Sequence, residues 1–307
     1  MRIAVMGTGG LGSYIGGRLA QAGADVTFIA RGQQLQAISQ NGIQVQSQFG
    51  GFAVAPVRAM NNPTEVGPVD LILFCVKAYD AESAAIQIKP LVGPQTAILP
   101  VLNGLDHLET LGAILGPEHV LGGSAQITAH VIAPGLIEQV GGMHSLEFGE
   151  LTGATSDRCA QIQQVLASTG IEVRVSPNIV EKMWWKLAAI CGTAGVFSVV
   201  RSSAGAIAQT PETLALVHQA VAECVTVAQA HQISLSPALP DQIVNLVKNA
   251  PATLKPSMLI DLEHERRLEV EALNGKISRL GKAVGVPTPV NDFIYACLKP
   301  YMNGARR

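Results

Sequence analysis

The chain is poor in charge and in aromatic rings: Asp, Glu, Lys and Arg make up 14% of its 307 residues, and Phe, Trp and Tyr only 4%. With 48% hydrophobic residues it lies far from the composition of disordered chains, and its length allows two domains, each with its own core. No block of Lys or Arg exceeds a pair and the formal net charge is -2, which leaves no general attraction to nucleic acid or anionic lipid. The five cysteines, Cys75, Cys159, Cys191, Cys224 and Cys297, form no C-x-x-C pair. A zinc site and a disulfide framework are therefore not expected, and reduced thiols in the cytoplasm are. None of the seven histidines has metal-ligand spacing and no serine lies in a G-x-S-x-G elbow, so no metal, catalytic histidine or serine triad is expected. Leu187–Val200, bounded by Lys186 and Arg201, falls short of the ~20 apolar residues that cross a bilayer and reads as a buried helix. Glycines at 7, 9, 10 and 12 interrupt the first apolar run, so no export segment is expected.

What is present is an alternation of strand and helix patterns. An apolar run at Arg2–Met6, a glycine cluster, a helical pattern through Leu19, and a second run at Val26–Ala30 make a β-α-β unit. Further strand-like runs at Ile43–Val45, Asp70–Val76 and Ala97–Leu102 predict a mainly parallel sheet covered on both faces. Beyond residue 120, the short runs Val120–Ile132, Gly135–Val140 and Ser145–Phe148 predict an antiparallel extension, followed by a helix over Ser156–Ser168 and a strand over Ile171–Val175. From Ser176 the pattern is helix after helix. The expectation is an α/β chain: a Rossmann-type parallel-sheet domain over residues 1–175 and an all-helical domain over 176–307.

Gly7-Thr8-Gly9-Gly10-Leu11-Gly12 satisfies G-x-G-x-x-G between the first strand and the helix that follows. In that place Gly7 permits the tight turn, Gly9 lets a pyrophosphate approach the backbone, and Gly12 lets helix and strand pack closely. The second strand ends in Ala30-Arg31, where NAD-specific folds place an acid for the ribose 2′-hydroxyl. A guanidinium there suits the 2′-phosphate of NADP(H) instead. The bland alternative is a solvated loop cation.

The chain resembles the ketopantoate reductase (2-dehydropantoate 2-reductase) family over nearly its whole length. The resemblance is carried by Gly7–Gly12, Phe28–Gly32, Phe74-Cys75-Val76-Lys77, Leu102-Asn103-Gly104, Trp185-Lys186-Leu187, Ser257-Met258 and Arg266–Gly275. It implies hydride transfer from NADPH to an α-keto acid in a cleft between the two domains. By the same resemblance Lys77 and Asn103 lie near nicotinamide and substrate, Lys186 and Glu269 carry the chemistry, and Ser257 helps to hold the substrate.

Each residue also has its own reading. Lys77 and Asn103 follow apolar strands, where open α/β sheets present their ligand crevice, although a solvated lysine and an Asn-Gly turn fit the same positions. Lys186 at the start of the apolar helix Leu187–Val200 is expected to be partly desolvated, a better proton donor at neutral pH, or else a snorkelling lysine. In a helix over Asp261–Val284, Glu269 falls on the inward stripe with Leu262 and Leu273, while Glu263, Glu265 and Glu271 point outward as solvated charges or pairs with Arg266 and Arg267. Ser257 is either a helix cap or a ligand.

One departure bears on the substrate. The family presents substrate-contacting asparagines one and two turns beyond its lysine, and these positions are Ile190 and Ala194 here. An apolar wall points to a less polar ketone, keto acid or imine as the alternative substrate to ketopantoate. A noncatalytic NADP-binding sensor is the alternative from another class. The expected partner is a small keto acid or ketone, with a homodimer left open.

Overall fold

The computed structural model describes residues 1–304. Its contacts divide the chain into two compact units. The first holds Met1–Leu102 and His107–Ile179, and the second holds Asn103–Asp106 together with the chain from Val180 onward. The change of pattern noted at 175 thus sits beside a division at Ile179/Val180.

In the first unit the elements run β1 (Arg2–Met6), α1 (Gly10–Gln21), β2 (Asp25–Ile29), α2 (Gly32–Asn41), β3 (Ile43–Ser47), β4 (Phe52–Val54), β5 (Arg58–Met60), β6 (Val69–Phe74), α3 (Ala81–Gln87), β7 (Val92–Pro100), α4 (Asp106–Leu115), β8 (Leu121–Ala133), β9 (Leu136–Glu150), α5 (Asp157–Ala167) and β10 (Glu172–Val175). A five-stranded parallel sheet of order β5-β2-β1-β6-β7 forms the Rossmann-type centre. Its strands are apolar on both faces because both are covered. Ile3, Val5, Phe28 and Leu73 enter one buried cluster, and Ala4, Met6, Ile29 and Phe74 enter the other. A Cβ on Gly16 of α1 would lie 2.5 Å from the Phe28 ring and 2.8 Å from Val5, so the missing side chain lets α1 settle onto the sheet.

One expectation needs correction here. Ile43–Val45 is a strand, but β3 belongs to a second sheet of order β10-β9-β3-β4, with β8 paired antiparallel to β9. The third place beside β2 goes to the short β5, whose exposed and half-buried Arg58–Met60 carry too weak an apolar pattern to read as a core strand. The fold class itself stands: an α/β Rossmann-like domain and a helical one.

The second unit contains α6 (Ile179–Ile190), a π-helical turn at Cys191–Gly195, α7 (Val196–Val200), α8 (Ala204–Gln209), α9 (Pro211–Ala230), α10 (Leu239–Lys248), α11 (Ser257–Glu263), α12 (Asn274–Val284) and α13 (Pro289–Leu298). The long α9 buries Val217, Ala220, Val221, Cys224, Val225, Val227 and Ala228 in the core of this unit. Ile179–Val200 is, taken whole, long and apolar enough to cross a membrane by length and composition, and 61% of its most apolar window is buried inside the fold. A core helix passes the same test. Lys186 therefore does not open its helix as expected. It sits inside α6, and the segment after it is not one regular helix.

The expected helix over Asp261–Val284 is also two helices. Between α11 and α12 the chain runs irregularly, with Glu265 at φ 55°, an antiparallel bridge from Arg267 to Asn303, and a bond from the Leu268 amide to the Met302 carbonyl at 3.0 Å. Of the charges expected to be solvated or paired along that helix, Glu263 pairs with Lys255, Glu271 with Arg279, and Arg266 with Asp261.

In the first unit Glu150 ends β9 and accepts from both arms of Arg158, at 2.6 and 2.7 Å, and from Ser156 Oγ at 2.6 Å. Ser156 in turn caps α5 by accepting from the Cys159 amide. Arg158, followed by Ser156, holds the Glu150 carboxyl below its ordinary value of 4.5 despite some burial. A lowered carboxyl stabilises the fold fully above that value, and the contribution disappears as pH falls through the folded pKa. Glu150→Gln is expected to cost about 1–3 kcal/mol at pH 7, with the gap from the parent narrowing as pH falls below about 4; denaturant melts across pH check it.

Candidate active site

The first unit assembles a cradle at the carboxyl ends of β1, β2 and β6. Gly7 has φ +97° and a Cβ there would lie 2.9 Å from the backbone of Cys75 and Val76, so both conformation and space require glycine. A Cβ on Gly12 would lie 2.0 Å from the Gly7 carbonyl oxygen, and one on Gly10 2.0 Å from the Ala129 carbonyl oxygen of β8. Gly9 is exposed, with nothing within 4 Å of the place its Cβ would take, and it precedes the first turn of α1. Thr8 is buried, and its carbonyl accepts from Ser13 Oγ and Gln34 Nε2 at 3.0 and 3.1 Å. Gly9 therefore leads into α1 beside open space, and the amides of a helix's first turn, here at Gly10, Leu11 and Gly12, have no acceptor within the helix. A pyrophosphate suits such a place by charge and by shape.

Arg31 precedes α2 and is 84% exposed in its side chain, and its guanidinium meets the Asp80 carboxylate at 3.3 Å. Lys77 continues from β6 in extended conformation, and its carbonyl accepts from the Asp80 amide at 2.9 Å. An acid thus reaches Arg31 from the short 3-10 turn Ala78–Asp80 that follows β6. Sequence reading passed over Asp80, because nothing in a linear pattern links residue 80 to residue 31. Burial pushes the neighbouring Cys75 thiol up to about 12, which leaves it protonated and unsuited to nucleophilic work.

The second unit gathers Lys186, Glu269 and Asn103. Lys186 is partly buried on α6, flanked in sequence by the buried Met183, Trp184, Leu187 and Ala188. Burial pushes its ammonium down to about 8, and the Glu269 carboxylate pulls the other way. Glu269 is 7% exposed. Its burial agrees with the inward placing expected for it, but the cause is the irregular connection rather than a helical stripe. The Asn103 side-chain amide donates to Glu269 Oε2 at 3.5 Å. Gly104, at φ +86°, lets this turn approach the segment after Glu269, since a Cβ on it would lie 2.7 Å from the Ala272 carbonyl oxygen.

The remaining residues sit less centrally. Ile190 ends α6 one turn beyond Lys186 and is half-buried. Ala194 lies within the π turn and is 2% exposed. The wider turn breaks the regular spacing by which 186, 190 and 194 were expected to share a face. Ser257 is exposed and is the first residue of α11, and the residue before the helix, Pro256, has no side chain to cap it. The cap reading of Ser257 thus finds no bond to support it.

A Rossmann-type sheet joined in one chain to a helical unit is the architecture of the relatives that follow, and with them it makes the chain an oxidoreductase acting on CH–OH or C=O groups with a nicotinamide cofactor. The chain belongs to the ketopantoate reductase family: the model for Ketopantoate reductase PanE/ApbA matches residues 3–153 and that for its C terminal part residues 178–302. A 2-dehydropantoate 2-reductase of Mesorhizobium japonicum is 31% identical, with 97% of each chain covered. Among solved structures, a 2-dehydropantoate 2-reductase from Geobacter metallireducens matches at a TM-score of 0.92 and 28% identity, over 97% of this chain and 99% of that one. D-mandelate dehydrogenase, solved with NADH and anilino(oxo)acetate, matches at 0.90 and 26% identity over 98% of both chains. Membership of an oxidoreductase family sets aside the noncatalytic sensor.

Proposed function

We propose that the chain reduces the carbonyl group of a 2-keto acid with NADPH, ketopantoate or a close relative of it being the substrate. The observation that carries this reading is the partly buried Lys186, whose ammonium is lowered to about 8 beside a buried Glu269. When bound, the dinucleotide supplies the hydride that adds to the carbonyl carbon. Lys186 Nζ donates a hydrogen bond to the carbonyl oxygen, stabilises the alkoxide as the C=O π bond opens, and gives it the proton. Glu269 keeps the ammonium charged until that moment, and Asn103 steadies the carboxylate. Gly7, Thr8, Gly9, Gly10, Leu11 and Gly12 hold the pyrophosphate, Arg31 the 2′-phosphate, and Lys77 and Asn103 the nicotinamide end. Ser257 binds the substrate. Division into an NADP-binding unit and a catalytic, substrate-binding unit follows from these roles, and the cytoplasm is their place.

Two observations refine the reading. Asp80 beside Arg31 weakens the attraction for a 2′-phosphate, so the preference for NADPH over NADH is modest rather than absolute. Ile190, half-buried one turn from Lys186, favours a keto acid whose side chain is less polar than that of ketopantoate. The likeness to D-mandelate dehydrogenase supports this second reading.

A panel of 2-keto acids, assayed with NADPH and with NADH, tests both. Lys186→Ala is expected to lower kcat by about 10²–10⁴ while the Kd for NADPH stays within about twofold, since the two are assigned to different units. Unchanged kcat would contradict the role of Lys186. Ile190→Asn is expected to raise kcat/KM for ketopantoate about tenfold relative to an apolar keto acid of similar size, in line with about 1–3 kcal/mol for one restored polar contact. An unchanged ratio would remove Ile190 from the substrate wall.

A further inference from the structure

Three side chains of the second unit, Glu223, Asn291 and Asn274, join in one polar chain. Glu223 of α9 accepts from the Val290 amide at 2.8 Å through Oε1, and from the Asn291 amide at 2.9 Å and its side-chain nitrogen at 2.7 Å through Oε2. Asn291 Nδ2 also donates to the Ala220 carbonyl at 3.0 Å. Its Oδ1 accepts from Asn274 Nδ2 at 2.8 Å, and Asn274 Nδ2 donates as well to the Cys191 carbonyl at 3.2 Å. Asn274 and Asn291 are both 0% exposed.

The direction of this chain is fixed by chemistry. Asn291 faces a carboxylate and a carbonyl with one end, and that end must be the NH₂, because neither partner can donate. Its oxygen then faces Asn274, which must answer with its own NH₂. Among the described residues no group donates to Asn274 Oδ1, so the hydrogen bonds of this amide are both donated. One of them enters the π turn Cys191–Gly195. A π turn pairs each amide with the carbonyl five residues back, which opens the helix to an outside donor. Close packing supports the arrangement, because a Cβ on Gly195 would lie 2.9 Å from both ends of the Asn274 amide.

The two ends of this contact belong to the segments that carry Lys186 and Glu269. Cys191 follows Lys186 at the end of α6. Asn274 follows Glu269 through a tight run in which the Ala272 and Leu273 amides donate to the Glu269 carbonyl at 3.0 and 3.2 Å, and the Gly275 amide to the Val270 carbonyl at 2.9 Å. We propose that Asn274 is a positioning residue: its amide ties the segment of Glu269 to the π turn after Lys186 and so sets where carboxylate and ammonium stand relative to each other. The proposal rests on the assignment of those two residues to the reaction.

Asn274→Asp keeps the shape and replaces the donor by an oxygen that faces two acceptors. In this variant, kcat for 2-keto acid reduction is expected to fall tenfold or more, with the Kd for NADPH unchanged within about twofold. The Lys186 titration, followed by NMR of the ¹³C-methylated holoprotein without turnover, is expected to move by about half a pH unit or more. Ile207→Ala on α8 serves as the control for destabilisation, lowering Tm without moving that titration. Should Asn274→Asp not fold, Asn274→Ser, which keeps a donor but loses the second bond, is expected to show the same changes at smaller size. An unmoved titration in the folded variant overturns the proposal whatever happens to kcat, and so does a moved titration with kcat unchanged. Failure of the catalytic assignment is read separately, in the activity of Lys186→Ala.

Discussion

A single ammonium among apolar side chains sets the terms for the second unit. Burial of Lys186 makes its charge costly, and the cost is tolerable because the Glu269 carboxylate acts on it. That carboxylate is itself 7% exposed and needs support, which comes from Asn103 on a turn that Gly104 allows to come close. The irregular connection between α11 and α12, the π turn after α6 and the asparagine chain behind it hold these groups in place. A regular helix through either segment would place the backbone differently. The first unit works by other means, with bare backbone and missing side chains at Gly7, Gly10 and Gly12 where a Cβ would collide with its neighbours.

Much of the architecture was legible in the sequence because it rests on local periodicity. Continuous apolar runs marked β1, β2, β6 and β7 as strands covered on both faces, and the glycine pattern marked the turn into α1. Placement in the sheet was less legible: Ile43–Val45 reads as a strand, but nothing local tells that it pairs with β9 and β4 rather than β2. The weak β5, with exposed Arg58, takes that place through backbone bonds a residue pattern does not record. The surroundings of the candidate residues were less legible than their positions in the chain. Glu269 was expected inward on a helical stripe, and it is inward without the helix. Lys186 was expected to begin a helix, and it lies inside one that widens into a π turn five residues later. The Cys191 carbonyl of that turn accepts from Asn274, far away in sequence, so no window around Lys186 could reveal the contact. Asp80 escaped for the same reason.

Selection of cofactor and of substrate then becomes a matter of balance between neighbours. Arg31 offers a guanidinium, and Asp80 tempers it. Ile190, half-buried at the end of α6, offers apolar surface where the proposed function places the substrate. Neither residue is the lysine proposed as proton donor, so on the proposed function one reaction core serves keto acids of different polarity.

The central claim is that a partly buried lysine with a lowered pKa delivers the proton, and the pH dependence of kcat/KM in both directions tests it most directly. Reduction needs the protonated form, so its rate should be level at lower pH and fall through a pKa near 8, while oxidation of the corresponding hydroxy acid should rise through the same value. The limb should vanish in Lys186→Ala. A flat profile up to pH 10, or a limb that survives the loss of Lys186, would contradict the account.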